Sequence, residues 1–440
     1  MAGACLCGGV MRIGEAHAGN DGAFYLGNDA ALLAGAATAS AQGASATWYN
    51  PARVAVGNAD DFDLSGSAYL LRFGGTPDLE AAPGYRATRQ RLAALDLTAV
   101  PTAVAVRRKL LGLDIGAGLF VPTRAVVYAR TLVRAEPADG SAPSEVAIDG
   151  NSTFTEYYGG LAVGRALTSR LRVGGAVFGY YSSRIETTII GARRVGAGFI
   201  TSSGTVAGQR IGAQLVTGLS WRAAPSVELG FTLRSPVLQL ASQVQATNIS
   251  SSQIGSAADA SLVFDERALG ADTLLLVPLR AEVGTAIDLD GRTTVAADLR
   301  LRGRLANERA ETSVVPVADV RAGLRRQVGT NLWLGAGAFT DRSGQPRGSG
   351  TSTILDFYGG TIGVELGKPY RVLADGDEKP RTLRFSTAVA ISYAVGVGSV
   401  GNLAVAPRGA LFELQPQRDD VTAHEFMFHV GSSVGTFAGP

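Results

Sequence analysis

Along much of this chain apolar and polar positions alternate one for one. Val227, Leu229, Phe231 and Leu233 are apolar, while Glu228, Gly230, Thr232 and Arg234 take the other parity. Leu279, Ala281, Val283, Ile287 and Leu289 likewise alternate with Arg280, Glu282, Gly284, Asp288 and Asp290, after which Asp290-Gly291 favours a two-residue hairpin turn. The pattern resumes with Val295, Ala297, Leu299 and Leu301 against Asp298, Arg300 and Arg302, and returns near the end with Leu383, Phe385, Val389 and Ile391 against Arg384, Ser386, Ala388 and Ser392. A period of two is that of a β-strand with one apolar and one wet face. Strands start on this pattern near residues 61, 98, 111, 153, 169, 208, 225, 276, 292, 317, 331, 353, 380 and 422, which predicts an all-β protein of about fourteen strands.

The connections fall into two classes that alternate. Tight ones lie near Lys109-Leu110, Leu167-Thr168, Ala224-Pro225, Asp290-Gly291 and Gly329-Thr330, with a longer one at Lys368 to Glu378. Long ones lie near 74–97, 122–152, 185–207, 240–275, 305–316, 342–352 and 397–421. A closed membrane barrel has short turns at one rim and long loops at the other, whereas a soluble sandwich would connect most strands alike. The spacing of Leu92, Leu95 and Leu97 with Arg86, Arg89 and Arg91 predicts a helical stretch in the first long loop.

Composition narrows this further. No run of about 18 apolar residues occurs, so a spanning helix is excluded while a closed barrel is not. With 40 basic and 38 acidic residues there is no single-sign field to attract nucleic acid. Cys5 and Cys7 both lie in the first seven residues, which leaves the rest of the chain without thiols to mispair in an oxidising compartment. Residues 1–18, ending in Ala16-His17-Ala18, read as part of an export signal.

Ahead of the first strand lies ALLAGAATASAQGASATWYNPARVAVG, residues 31–57, too polar to span lipid and too apolar for a free tail. It ends in Trp48, Tyr49, Asn50, Pro51 and Ala52, where an Asn-Pro step sets a turn and the aromatic residues offer anchors with polar tips. Glycine-rich strand patterns then follow in order: Gly116 to Pro122, GLSWRAAPSVELGFTLRSP from Gly218 and RAGLRRQVGTNLWLGAGAF from Arg321. In these features the chain resembles the FadL-type outer-membrane channels. The resemblance implies an N-terminal hatch (19–60) plugging the lumen of a transmembrane antiparallel β-barrel (61–440). It implies a monomer in the cell outer membrane, in contact with outer-membrane lipid and lipopolysaccharide and inserted by the barrel-assembly machinery. The expected function is passive uptake of hydrophobic small molecules, long-chain fatty acids by default, with no cofactor and no enzymatic activity.

Three groups of residues could carry function. Inward parity falls on Arg172, Arg234, Arg280, Arg300, Arg302, Arg321, Arg325 and Arg384 with Glu228, Glu282, Asp288 and Asp298; of these Arg234, Arg280, Arg300 and Arg384 are candidate ligand contacts, since guanidinium groups hold carboxylates in a bidentate grip. The other reading of the same charges is pairing across strands. Gly112, Gly116 and Gly118 are candidates for a kink that opens the wall sideways. His424-Glu425 with His429 approximates a zinc-protease motif, but the five-residue separation places the two imidazoles on opposite faces of a strand. An esterase barrel using one of these histidines, or a sealed structural barrel, are the alternatives to a channel.

Overall fold

The computed structural model describes residues 25–56, 61–74, 85–91, 96–97, 100–137, 144–194, 198–254, 260–268, 275–307, 312–346, 354–372, 381–408 and 411–437. The export-signal segment with Cys5, Cys7 and His17, and the outer margins of the hatch segment (19–24 and 57–60), lie outside them.

The barrel strands are β1 (Asp61–Gly74), β2 (Val100–Leu110), β3 (Leu113–Pro137), β4 (Ser144–Ala166), β5 (Leu171–Arg194), β6 (Gly198–Ala224) and β7 (Val227–Arg234). They continue as β8 (Arg280–Asp288), β9 (Thr293–Arg302), β10 (Val317–Gln327), β11 (Leu332–Asp341), β12 (Ile354–Val372), β13 (Arg381–Arg408) and β14 (Leu411–Phe437). Each pairs antiparallel with the next, and β14 pairs back onto β1 from Asp61↔Gly435 to Gly74↔Ala423. Fourteen pairings therefore close a circuit with no free edge, the condition for strands to cross a bilayer.

Burial follows the parity read from sequence. Phe231, Leu233, Val283, Leu299, Leu301, Val320, Phe385, Val389 and Ile391 are exposed outward, whereas Thr232, Arg234, Glu282, Asp298, Arg300, Arg302 and Ser386 are buried inward. Around the outer face, Trp221 and Tyr370 lie near the short turns. Tyr157, Tyr181, Tyr358 and Tyr393 lie ten or more residues further up their strands, as the register Leu171↔Trp221 and Tyr181↔Ile211 shows. At about 3.3 Å per residue and a tilt near 45°, ten residues rise roughly 23 Å, the height of the apolar band between two aromatic girdles.

The short turns occupy one rim, close to where the sequence puts them. The first is Leu111-Gly112, one to two residues beyond the expected Lys109-Leu110, with Gly112 at φ 77°. The Asp290-Gly291 connection spans four residues instead of two: Leu289 N–H reaches Thr293 O at 2.9 Å, Asp288 Oδ1 accepts from Gly291 N–H at 2.7 Å, and Asp290 Oδ1 accepts from Arg292 N–H at 3.0 Å. The Arg292 backbone N–H, with the Thr293 side chain, holds the Asp290 carboxyl below its ordinary pKa.

Several stretches expected as long loops are strand instead. The strands β3 and β4 pair up to Ala135↔Ser144, β5 and β6 up to Arg194↔Gly198, and β13 and β14 up to Arg408↔Leu411. The stretch Val237–Ile254, past the Ser235-Pro236 break, pairs with β6 and with Ala260–Ala268. Alternation fades in these extensions because, beyond the membrane band, both faces meet water and no longer demand opposite polarity. Of the expected helical stretch, Tyr85–Arg91 is likewise a strand, paired antiparallel with Thr131–Pro137, and Asp96-Leu97 pairs with Arg72 and Leu71 of β1, while residues 92–95 lie outside the described residues. A lone helix of that length is marginal in water, whereas an open hairpin edge offers ready hydrogen bonds.

Candidate lumen site: the hatch and the aromatic cluster around it

Residues 25–56 lie inside the circuit. They comprise a short helix α1 (Asn28–Leu32), a 3-10 turn (Gly43–Ser45), a helix α2 (Ala46–Tyr49) and a 3-10 turn (Pro51–Ala55), and of their residues only Gln42 is exposed. So small a segment is buried because the wall is flattened to receive it. Gly164, Gly174 and Gly218 form one row across β4, β5 and β6, and a Cβ on Gly174 would run into the backbone of Pro51 and Ala52. On β10 a Cβ at Gly323 would stand 2.6 Å from Leu33 Cα. The hatch returns the match with Ala30, Ala31, Ala34, Ala36, Ala37, Ala44 and Ala46, nearly all fully buried.

Asn50 is the joint of this segment. Its Oδ1 accepts from Ala52 N–H at 3.1 Å, and its Nδ2 donates to Thr38 O at 2.9 Å and to Leu219 O in the wall at 3.1 Å. It therefore caps the following turn, ties two parts of the hatch together and fastens them to β6. Arg53 Nε donates to Ala41 O at 2.7 Å, and its Nη1 lies 3.4 Å from Glu228, which Arg172 also meets at 2.7 Å. Burial draws the Arg53 pKa down to about 10, against the opposing pull of Glu228. Arg107 Nη1 donates to Val54 O and Val56 O, and Asp29 pairs with Arg325. Tyr49 Oη accepts from Leu26 N–H at 3.1 Å, and burial raises its pKa; burial likewise pushes Tyr25 up to about 12.

The four arginines singled out from sequence all sit on the lumen parity, with different surroundings. Arg234 is buried, stacks over the Trp48 ring at 4.4 Å and donates through Nη2 to Trp48 O, while its Nε and Nη1 have no hydrogen-bond partner among the described residues. Arg280 stands in register between Arg234 and Arg302, which puts three guanidinium-bearing residues side by side. Arg300 pairs with Glu282 at 2.9 Å. Arg384 stacks over Trp333 at 3.9 Å and reaches Glu365 at 3.9 Å. Cross-strand pairing thus accounts for Arg300 and Arg384, and Arg234 is the one set against the hatch.

Gly112 lies in the turn, and pairing continues unbroken through Gly116 and Gly118. The break in β3 falls just beyond, where Val121-Pro122 stands opposite the single residue Tyr157 between the pairs Phe120↔Tyr158 and Thr123↔Glu156. Proline has no N–H for the ladder, so the bulge forms there and not at glycines that keep theirs. Gly116 instead faces the hatch at Thr47.

Sequence parity also put aromatic residues inward, and these were passed over in favour of charges. Phe120, Tyr158, Phe178 and Tyr180 are buried and surround Trp48, with ring centroids 5.1, 5.2 and 5.7 Å from Trp48 to Phe120, Tyr158 and Phe178, and 5.1 Å between Tyr158 and Tyr180. Val216 and Val237 extend the cluster, and a second apolar patch of Phe339, Leu355 and Phe357 lies across the lumen. The signal was present: in Val177-Phe178-Gly179-Tyr180 the aromatic residues hold the parity that elsewhere carries charge. His424 faces outward, its Nδ1 2.8 Å from Tyr393 Oη, while His429 is fully buried inward against Tyr25. Among the described residues no group of three or more His, Cys, Asp or Glu side chains could hold a metal.

A closed antiparallel barrel with an apolar outer face and an internal N-terminal plug defines the class of plugged transmembrane β-barrels. No protein-family model matches the sequence, and no curated protein is significantly similar to it. Solved structures are similar in fold: a Pseudomonas aeruginosa FadL homologue at 11% identity and TM-score 0.59, covering 93% of this chain and 98% of that one. The Pseudomonas putida toluene transporter TodX matches at 13% identity and TM-score 0.53 over 95% of this chain and all of that one. The monoaromatic hydrocarbon channel CymD matches at 10% and 0.55 over 94% and 98%. The chain has the fold of the FadL-type outer-membrane transporters.

Proposed function

We propose that this protein is an outer-membrane channel for the passive uptake of hydrophobic small molecules, with residues 19–60 as its hatch. The observation that carries the reading is the aromatic box of Phe120, Tyr158, Phe178 and Tyr180, inside the barrel and floored by Trp48 of the hatch. A polar pore would not line its lumen this way. Substrate enters from the extended external hairpins, rests in the box and leaves sideways through the bulge at Val121-Pro122, whose neighbour Phe120 belongs to the box. The fold-level neighbours named above for hydrocarbons and as a FadL homologue are consistent with this class of substrate.

Within that class, an acidic amphiphile such as a long-chain fatty acid fits better than a neutral hydrocarbon. Arg234 lies on the box floor with Nε and Nη1 unpartnered among the described residues, and a substrate carboxylate would accept a charge-assisted hydrogen bond from one of them. The test is uptake into proteoliposomes of a labelled fatty acid and of labelled toluene. Fatty acid uptake that Arg234→Gln reduces and toluene uptake that it leaves unchanged support the reading; equal transport of both, indifferent to Arg234, sinks the fatty acid. Absence of any hydrophobic flux sinks the channel.

A further inference from the structure

At one wall carboxylate three hydrogen-bond donors of the hatch converge. Asp298, on β9 and 6% exposed, accepts through a single oxygen from Ala37 N–H at 2.8 Å, Thr38 N–H at 2.9 Å and Thr38 Oγ1–H at 2.8 Å. Two successive backbone donors and a hydroxyl converging on one oxygen form an anion nest, supplied here by the hatch and filled by the barrel. The approach is prepared by the row Gly230↔Gly284↔Asp298, in which the two glycines leave room for Thr38 and Ala39 and the carboxylate stands next in line. Glu282, also within 3.3 Å of Thr38 Oγ1, is held by Arg300 at 2.9 Å. The second oxygen of Asp298 has no hydrogen-bond partner among the described residues, so the hatch supplies every hydrogen bond seen there.

We propose that Asp298 is a positioning residue that latches the first arm of the hatch, residues 28–42, to the wall. The second arm, 46–56, has wall contacts of its own in Asn50 on Leu219, Arg53 beside Glu228 and Arg107 on Val54 and Val56, and is joined to the first by Asn50 on Thr38 O and Arg53 on Ala41 O. Between the arms lie the exposed Gln42 and Gly43, the latter at φ 70°. Asn28 on Ser386 and Asp29 with Arg325 hold the start of the first arm, so removing the latch loosens its middle, around Ala37 and Thr38, and leaves the second arm's wall contacts in place. The proposal rests on reading this segment as the plug of a channel, but its test does not require transport.

The experiment is hydrogen–deuterium exchange with mass spectrometry on the full chain in detergent, comparing wild type with Asp298→Ala, Asp298→Asn and Thr38→Val. Exchange follows local opening, so Asp298→Ala should speed peptides covering 33–42 by about tenfold or more and those covering 46–56 by less than about twofold. Asp298→Asn keeps an acceptor oxygen and should give an intermediate rate, a rescue that loss of packing alone would not produce. If Asp298→Ala does not refold, as judged by heat-modifiable mobility, Thr38→Val decides: a smaller acceleration confined to 33–42 supports the latch. Unchanged exchange in 33–42, or equal acceleration of both arms, overturns it. An arm that loosens while hydrophobic uptake stays the same leaves the latch standing and counts against the first arm as the gate of the channel, whereas an unchanged arm in a protein that transports overturns the latch alone.

Discussion

Asn50 shows how much one short side chain can decide. It makes one hydrogen bond to its own turn, one across the hatch and one to the barrel wall, the first two buried and the third partly so. In Asn50→Ala the carbonyls of Thr38 and Leu219 lose this donor and the turn its cap, a cost of about 1–3 kcal/mol. Amide exchange in 46–55 should accelerate accordingly, and unchanged protection would show that the motif is not a joint. Trp48 acts on the other side of the same segment. Trp48→Ala opens the floor of the aromatic box and removes three ring contacts, so affinity for a fluorescent apolar ligand should fall roughly tenfold, about 1.4 kcal/mol. Tyr25 gives a pH test. Its folded pKa, near 12, lies above the ordinary 10 because ionising it would bury a charge, so its contribution is complete below pH 10 and is lost as pH rises from 10 towards 12. Hatch exchange measured across that window should rise in wild type and rise less in Tyr25→Phe.

At the level of elements, inward glycines are what let a strand wall accept a hatch. Gly174→Val places a branched side chain where the Pro51 and Ala52 backbone runs, and the packed interior has no slack to absorb it. The expected result is a barrel that still shows heat-modifiable mobility but whose hatch is protease-sensitive; a protected hatch in that variant would mean that the wall gives way instead. The strand set and its parity were legible because a wall between two solvents of opposite polarity forces strict alternation: Arg280 to Ile287 reads correctly in parity, and only the turn beyond it differs. The turn at Asn50-Pro51-Ala52 is legible because its cap is local, whereas the bonds from Asn50 to Thr38 and Leu219 are not. What could not be read is what depends on register between distant strands. The row Gly164, Gly174 and Gly218 is scattered over more than fifty residues of sequence, and only pairing shows that it is one trough. The bulge was misplaced onto glycines for the same reason, because a two-against-one mismatch belongs to a pair of strands and not to either alone.

For the whole molecule, closure and plugging act in opposition. Fourteen strands joined without an edge make a wall that needs no hatch for its hydrogen bonds, whereas the hatch, with helices of four and five residues, has too little structure to hold itself and depends on the wall. Deleting residues 25–56 should therefore leave the barrel foldable and its lumen unplugged. The deletion also exposes the inward carboxylates and guanidinium groups that now face the hatch, among them Asp298, Arg53's partner Glu228, and Arg107. Water would then fill the lumen and solvate them, so the variant should gain small-ion conductance in planar bilayers while losing the aromatic box, which has Trp48 as its floor. Uptake of a hydrophobic ligand should consequently lose its saturation even as conductance rises. A deletion variant that conducts no ions would indicate that the wall side chains close the lumen without the hatch. One that keeps saturable uptake would place the binding site elsewhere than on Trp48.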